Sequence, residues 1–434
     1  MFRFILRRLG FMLLTMFLVS VVIFLVSEVA PGDVARHILG QFATDDQVKL
    51  LRQQMGLEQP LYVRYFDWLV GNEWRLRNKV DMPLVYTKAR PKDEIQWWAE
   101  ESDGTLVQWK YKTSSGSLEQ IRIAPDDSRE VVDFEGWKTR DDGSQYFWGV
   151  DTAGHVVLWV KNVEGAGSGP AAAGRSLGTS GGQEYYPLKK GLLRGDPGIS
   201  LRTNRPVGPT LARRLRNSFS LALIAFLLIM PIALALGILA GLREGSALDR
   251  SISLFSLITT SVPEFASGVF LILVLSFWLD LLPGASVFVD DTAPLQQPKL
   301  IILPVLTLTL AEVGYVARMT RASMVEVMNA PYIRTAILKG LPYRRIVFRH
   351  ALRNALMAPI TVIMLHVNWL VGGIVVVEAV FGYPGLGLYM LDSALFKDVN
   401  AIEAGAMVMV ALAVGTQLIA DIIYTFLNPR IRFT

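Results

Sequence analysis

Cysteine is absent from all 434 residues, which excludes disulfide staples, thiolate metal sites and cysteine nucleophiles together. Any part of the chain that folds outside the cytoplasm must therefore hold itself together by packing. No G-x-x-x-x-G-K-S/T phosphate loop occurs, so the chain has no usual P-loop means of hydrolysing ATP. Histidine is scarce. His37, His155, His350 and His366 lie in separate regions without metal-ligand spacing, and no nucleophile constellation surrounds them, so neither a metal site nor a catalytic role is expected. The net charge of +5 is modest, and no basic patch is interleaved with aromatics, so a nucleic-acid partner is excluded as well.

What the chain has in excess is apolar sequence. Hydrophobic residues make up 52% of it, with a mean hydropathy of +0.36. Spanning a bilayer core takes about 20 mostly apolar residues as a helix, because lipid offers no partner for backbone N–H and C=O groups. Six windows satisfy that requirement: about Leu9–Val29, Ser218–Leu239, Ile252–Leu281, Leu300–Val316, Leu356–Val377 and Ala404–Leu427. The first follows Arg3, Arg7 and Arg8 as in a signal peptide, but it is too long and lacks a small-x-small cleavage site. It reads as a span that starts in the cytoplasm.

Lys and Arg near the span ends give the orientation. The amino terminus, the loop with Arg243 and Arg250, the loop with Arg318 to Arg353, and the tail with Arg430 and Arg432 fall on one side if six spans alternate. Both termini are then cytoplasmic. Arg213, Arg214 and Arg216 disagree, since they precede the second span on the outer side.

Between the first two spans the sequence changes character. From about Glu94 to Lys161 it alternates and is punctuated by turns, and the spacing W-x5-G-x4-W recurs at Trp98/Gly104/Trp109, Trp137/Gly143/Trp148 and Trp148/Gly154/Trp159. Those glycines sit in turn sequences able to take positive φ, with tryptophans on flanking strands meeting across hairpins. With turns at Thr113–Gly116 and Pro125–Ser128, the segment predicts about six short antiparallel strands in a meander. The tryptophans form either an aromatic core or a stacked sugar- or peptide-binding face. A Gly/Ser-rich linker follows at 165–182. Asp45–Met55 and Tyr62–Leu69 read as helices, and the pieces on either side of the insertion look as if they were once adjacent.

The polar segment between the fourth and fifth spans reads Arg334-Thr335-Ala336, Lys339-Gly340-Leu341 and His350-Ala351-Leu352-Arg353-Asn354-Ala355. Gly340 permits a bend between two short helices, Pro342 restarts the second, and the arginines offer ion pairs to an acidic partner. Ionisable groups at membrane depth are costly and therefore candidates for function. Pro263, Glu264, Glu312 and His366 are the pathway-lining candidates, for the two glutamates with interhelix pairing as the alternative. His366 reads as an interhelix hydrogen-bond donor rather than a proton relay, and Glu378 as a structural anchor.

Together these residues resemble the inner-membrane permease subunit of binding-protein-dependent ABC importers, in the dipeptide and oligopeptide branch. The likeness rests on Val29-Ala30-Pro31-Gly32-Asp33, Gly56-Leu57-Glu58-Gln59-Pro60-Leu61, Leu193-Arg194-Gly195-Asp196-Pro197-Gly198, Ser261-Val262-Pro263, and Arg334 to Asn354. Val377-Glu378-Ala379-Val380-Phe381, Pro384-Gly385-Leu386-Gly387 and Asn428-Pro429-Arg430 add to it. It covers nearly everything except about Trp74–Lys190.

The resemblance implies an all-α polytopic membrane protein of six transmembrane helices, type I ABC importer permease-like, with an inserted small antiparallel β-meander domain. The expected division is 1–73 for the first span and outer helices, 74–190 for the extracytoplasmic β domain and linker, and 191–434 for the permease core. It also implies that Arg334, Thr335, Ala336, Lys339, Gly340, Leu341, Arg345, His350 and Asn354 form an ATPase-coupling segment. Arg334 stands where the broader family often has Glu, and Glu264 where a small or polar residue is usual. No cofactor is expected in the chain, with ATP and Mg held by partners. Those partners would be a second permease, two ATP-binding subunits and an extracytoplasmic solute-binding protein, all at a bacterial inner membrane. Oligosaccharides, opines and nickel chelates are served by the same branch as peptides. From other classes, an ion-coupled secondary transporter or membrane hydrolase would use Glu264, Glu312 and His366, and a membrane-anchored receptor would use the β domain.

Overall fold

The computed structural model describes residues 2–29, 34–40, 42–80, 84, 94–101, 103–112, 117–133, 138–143, 145–150, 154–161, 185–203, 205–288 and 294–427. The chain forms two units, Met1–Ser27 with Pro209–Thr434, and Glu28–Gly208. The turn at Thr113–Gly116, Trp137, the 165–182 linker and Asn428-Pro429-Arg430 lie outside the described residues, as do Ala30 to Asp33.

The larger unit is helical. It contains α1 (Phe2–Val29), which enters from the other end of the sequence, and α6 (Val207–Leu242), α7 (Ala247–Ser261), α8 (Glu264–Leu271) and α9 (Lys299–Met328). Then come three short helices, α10 (Pro331–Leu338), α11 (Tyr343–Arg345) and α12 (Leu352–Ala355), and the longer α13 (Met357–Phe381), α14 (Leu386–Leu395) and α15 (Val399–Leu427). Leu221, Ala225, Ile229 and Ala233 recur every fourth residue along α6 and are fully buried, forming a core with Leu303, Leu308, Val313, Val316 and Ala317 of α9 and Val377 and Phe381 of α13. That spacing puts one face of α6 against α9. Lower on the same helices, a Cβ on Gly237 or Gly241 would collide with Thr320 or Met324 of α9, so glycine lets these side chains seat directly on the α6 main chain.

Among the described residues, four helices are long and apolar enough to cross a membrane, and up to six segments if each of two bent pairs is one span. The third window folds as α7 and α8, broken at Pro263 and bent by 104°. A second bend, of 73°, separates the end of α13 from α14. Proline explains the first, since Pro263 cannot donate into the ladder and fixes extended backbone at its own position. Glycine and proline at Gly382–Gly385 explain the second.

The smaller unit holds α2 (Val34–Leu39), α3 (Asp45–Gln54), α4 (Leu61–Leu69) and α5 (Glu73–Leu76). Thr44 and Gln47 form a reciprocal capping box at the start of α3. Two four-stranded antiparallel sheets follow, each in sequence order. The first contains β1 (Glu94–Glu100), β2 (Leu106–Lys112), β3 (Leu118–Ile123) and β4 (Arg129–Asp133). The second contains β5 (Lys138–Thr139), β6 (Gln145–Val150), β7 (His155–Lys161) and β8 (Tyr185–Pro187). The meander is therefore double, with eight strands among the described residues rather than about six. The stretch between the Pro125–Ser128 turn and Gly143 supplies two strands, β4 and β5, one to each sheet, and β8 lies beyond the Gly/Ser linker.

The internal repeat has a structural counterpart in a register shifted by one residue from the tryptophan spacing. Trp97, not Trp98, pairs with Trp109, and Phe147 pairs with Trp159 at the equivalent place in the second sheet. Gly104, Gly143 and Gly154 all have positive φ, as their turns require. Trp97 and Trp109 stack 6.4 Å apart and are fully buried. They share one core with Phe147, Val150, Val156, Leu76 and Val80. An indole pair sealed in this way serves packing, which replaces the disulfides the chain lacks.

The two ends of the insertion meet. Asn72 donates through Nδ2 to the Pro187 carbonyl at 2.5 Å and accepts through Oδ1 from the Lys189 N–H at 2.8 Å. Its own N–H donates to the Lys189 carbonyl at 3.0 Å. A Cβ on Gly71 would strike the backbone of Lys189–Lys190, and one on Gly191 the backbone of Val70–Gly71. The segments that sequence alone suggested were once adjacent are zipped together by their main chains.

Candidate functional site

The segment 331–355 is a folded helical hairpin with an inner and an outer surface. Pro331 starts α10 at its first position, where its missing N–H would be unsatisfied anyway. Gly340, at φ +71°, ends it. The Leu341 N–H donates to the Ala336 carbonyl at 3.3 Å and the Gly340 N–H to that of Ile337 at 2.9 Å, the paired bonds that close a helix on a left-handed residue. Pro342 is the cap just before α11, one step earlier than the helical role expected of it. A wide π-helical turn over Ile346–Ala351 leads into α12.

Ile333, Ala336, Ile346 and Ala351 are buried against one another, with Leu341, Val327 and Met328 packed around them. Ala336 and Leu341 therefore hold the hairpin together and offer little to a partner. Asn354 donates to the Tyr332 hydroxyl at 3.0 Å, joining the two halves, and the Thr335 hydroxyl returns to the Pro331 carbonyl at 3.1 Å. Arg334, Lys339 and Arg345 are exposed and His350 is half-buried.

The outer surface also carries residues that charge and spacing did not reveal. Leu338 is 82% exposed and Phe348 70%, with Tyr343, Ile337 and Tyr332 also open. Apolar side chains on a basic helix can be recognised as unpaired only once Ile333 and Ala336 are known to occupy the buried face.

A polar cluster sits where α13 meets α14. Glu378 is fully buried. Its carboxylate accepts from the Ser218 hydroxyl of α6 and, at 3.0 Å, from the Leu388 N–H in the first turn of α14. Ser218 Oγ accepts in turn from the Leu386 N–H at 2.7 Å. Asn217 donates to the Pro384 carbonyl at 2.9 Å, and the Tyr383 hydroxyl to the Asn217 carbonyl at 2.9 Å. A Cβ on Gly385 would overlap the Glu378 carboxyl, so glycine is required for the loop to approach. Glu378 thus offers its acceptor oxygens to Ser218 and to the first turn of α14, and anchors the bend.

Of the pathway candidates, Glu312 is buried on α9, Glu264 is half-buried in the first turn of α8, and Pro263 is exposed at the bend. The two carboxylates lie within Coulombic range of one another. His366 lies on α13, but its side chain is outside the described residues. Among the described residues no group of three or more His, Asp or Glu could hold a metal ion.

The family described as "Binding-protein-dependent transport system inner membrane component" matches residues 233–433, and its N-terminal counterpart matches 1–78. The Bacillus subtilis oligopeptide transport system permease protein AppB is 36% identical over 253 residues, covering 58% of this chain and 80% of that protein. The Escherichia coli dipeptide transport system permease protein DppB is 32% identical over 273 residues, with the same coverage. The inward-facing MetNI methionine ABC transporter aligns with 55% of this chain and 96% of its own at a TM-score of 0.39 and 20% identity, a likeness too slight to bear on the assignment. The chain belongs to the family of binding-protein-dependent transport system inner membrane components, permease subunits rather than enzymes.

Proposed function

We propose that this chain is the permease subunit of an ATP-driven peptide importer, forming half of the pathway beside a second homologous permease. Two ATP-binding subunits supply the energy, with ATP and Mg held there, and an extracytoplasmic solute-binding protein delivers the substrate. The observation that carries this reading is the outer surface of α10 to α12. Its exposed Leu338, Ile337 and Phe348 stand among Arg334, Lys339 and Arg345 on a hairpin with its own buried core. An amphipathic outer surface on a hairpin with its own core is suited to a groove in a separate subunit, and an ion-coupled transporter would have no use for it. The peptide substrate follows the names of the relatives, while selection belongs largely to the binding protein.

The proposed topology treats each bent pair as one span, giving six spans of the type I importer arrangement with both termini cytoplasmic. It places 74–190 outside the cytoplasm as an insertion into a permease body formed by 1–73 and 191–434. Asn72 supports that division by holding the two ends of the insertion together, its side-chain amide bonded to the Pro187 carbonyl and the Lys189 N–H and its own N–H to the Lys189 carbonyl. Of the basic residues before the second span, Arg213, Arg214 and Arg216 lie within α6, and Arg214 is half-buried within Coulombic range of Asp392 and Glu378. Arg213 and Arg216 still run against the charge rule.

The test is affinity purification of the tagged protein in mild detergent, with identification of what accompanies it and assay of ATP hydrolysis. Copurifying P-loop ATPases and a second permease are expected. A lone chain without ATPase activity across several gentle detergents would overturn the reading.

A further inference from the structure

Asp249, at the cytoplasmic end of α7 in the proposed topology, is 3% exposed and makes more contacts than a helix cap requires. It is the third residue of α7. Its N–H donates to Ser246 Oγ at 3.2 Å, while its carboxylate accepts from the Gly245 N–H at 2.9 Å and from Ser253 Oγ at 3.4 Å. Both carboxylate oxygens are also gripped by Arg321 of α9, Oδ2 through Nη2 at 2.8 Å and Oδ1 through Nε. A planar fork on a carboxylate fixes orientation as well as distance.

A second fixed point lies farther along the same pair of helices. A Cβ on Gly314 would collide with the Thr259 hydroxyl and the Ser256 backbone, so α7 and α9 approach closely there only because the position is glycine. Ser256 is seven residues after Asp249, and Gly314 seven before Arg321. The two anchor points are therefore about 10 Å apart on each helix at 1.5 Å per residue, and the pair is antiparallel. Beyond Arg321, α9 runs about two turns to Met328 and α10 begins at Pro331, and Ser323 Oγ donates to the Ala355 carbonyl at 2.8 Å, fastening the far end of the docking hairpin to α9. At its other end α7 reaches the 104° bend before Glu264.

We propose that the Asp249–Arg321 pair is a transmission clamp. It makes α7 move as one body with α9 and the docking hairpin, so that motion of the ATPases reaches the bend at Val262–Pro263. Asp249 and Arg321 are positioning residues, and the inference rests on the docking role of 331–355. Without the clamp, a push on the hairpin moves α9 and slides it past α7.

The test uses the assembled transporter in proteoliposomes with the Arg321→Lys and Arg321→Gln variants. Lysine keeps the charge and loses the fork, so it reports on geometry even where glutamine leaves Asp249 too poorly compensated for assembly. The expected result is retained ATP hydrolysis with uptake per ATP reduced about tenfold, a typical coupling free energy. Because the chain has no cysteine, Arg250→Cys and Ala322→Cys, both exposed, can be spin-labelled in it without background from this subunit. Their distance should be the same in nucleotide-free and ATP-trapped complexes of the parent, and should change with nucleotide in Arg321→Lys.

A distance that already changes in the parent, or unchanged coupling and distance in Arg321→Lys, would overturn the clamp. Uptake and hydrolysis falling together, at an unchanged ratio, would make the pair merely structural. Leu338→Asp separates the two levels. If it leaves ATPase association intact, the docking reading falls and the clamp with it; if association is lost while Arg321→Lys couples normally, the clamp alone falls.

Discussion

Substituting Glu378 separates a structural carboxylate from a pathway carboxylate. Two donors, the Ser218 hydroxyl and the Leu388 N–H, end on its two oxygens in a fully buried site. Glu378→Ala leaves both without an acceptor, at about 2 kcal/mol each, or about 4 kcal/mol in all. Glu378→Gln keeps one oxygen, and its amide can donate to Ser218 Oγ, so about 2 kcal/mol is lost. At roughly 3 °C per kcal/mol for a unit of this size, the melting temperatures fall by about 12 °C and about 6 °C. The assay is thermal inactivation of the detergent-solubilised complex, followed by the loss of its monodisperse chromatographic peak.

Gly385→Ala should be as damaging as Glu378→Ala, because its methyl group meets the carboxyl. The double variant should then be less damaging than the sum, since removing the carboxyl makes room. Additive losses, or an alanine variant as stable as the parent, would refute the anchoring role.

Leu338→Asp should leave the fold intact, as exposed substitutions usually do within about 0.5 kcal/mol, and abolish copurification of the ATPases. Gly340→Ala meets no neighbouring atom but must adopt φ +71°, and should destabilise the hairpin by about 1 kcal/mol, seen as faster hydrogen exchange over 331–345. Trp97→Ala removes half of a buried stacked pair at about 3–5 kcal/mol, so proteolytic nicking between residues 94 and 161 of the intact protein should accelerate by about two to four orders of magnitude.

Burial raises the Asp67 carboxyl above its ordinary value despite the opposing effects of Arg75, Lys189 and Asn72. The folded state therefore binds the proton more tightly than the unfolded one. This contribution to stability is complete below the unfolded carboxylate range near pH 4 and is lost as pH rises through the raised value. Asp67→Asn should flatten that part of the pH profile for proteolytic resistance of the 28–208 unit.

Much of the helical unit was legible because lipid imposes a coarse rule: an apolar run of sufficient length must satisfy its own backbone. Even so, the third window gave no indication that Pro263 turns the chain through 104°, because proline marks a break without setting the angle. In the insertion the turn glycines were readable from local chemistry, since few other residues take positive φ. The pairing of Trp97 with Trp109 was not. Two adjacent tryptophans, Trp97 and Trp98, point to opposite faces of a strand, and only the completed core decides which face is covered. The bend between two short helices in the proposed docking segment was legible from Gly340 and Pro342, while the exposure of Leu338 emerged only when Ile333 and Ala336 were seen to fill the underside.

The sequence by itself determined that the chain is built for a bilayer, that it cannot energise itself through a P-loop, and that an aromatic β insertion interrupts a permease pattern. Those properties belong to composition and to spacing over a few residues, where backbone hydrogen bonding and steric limits operate. Tertiary structure alone decided which distant groups meet: Glu378 with Ser218, Asn72 with Lys189, and Asp249 with Arg321. Each pair joins segments whose separation along the chain carries no information about distance in space, and each is fixed by packing that brings main chains close enough for a buried polar group to find its partner.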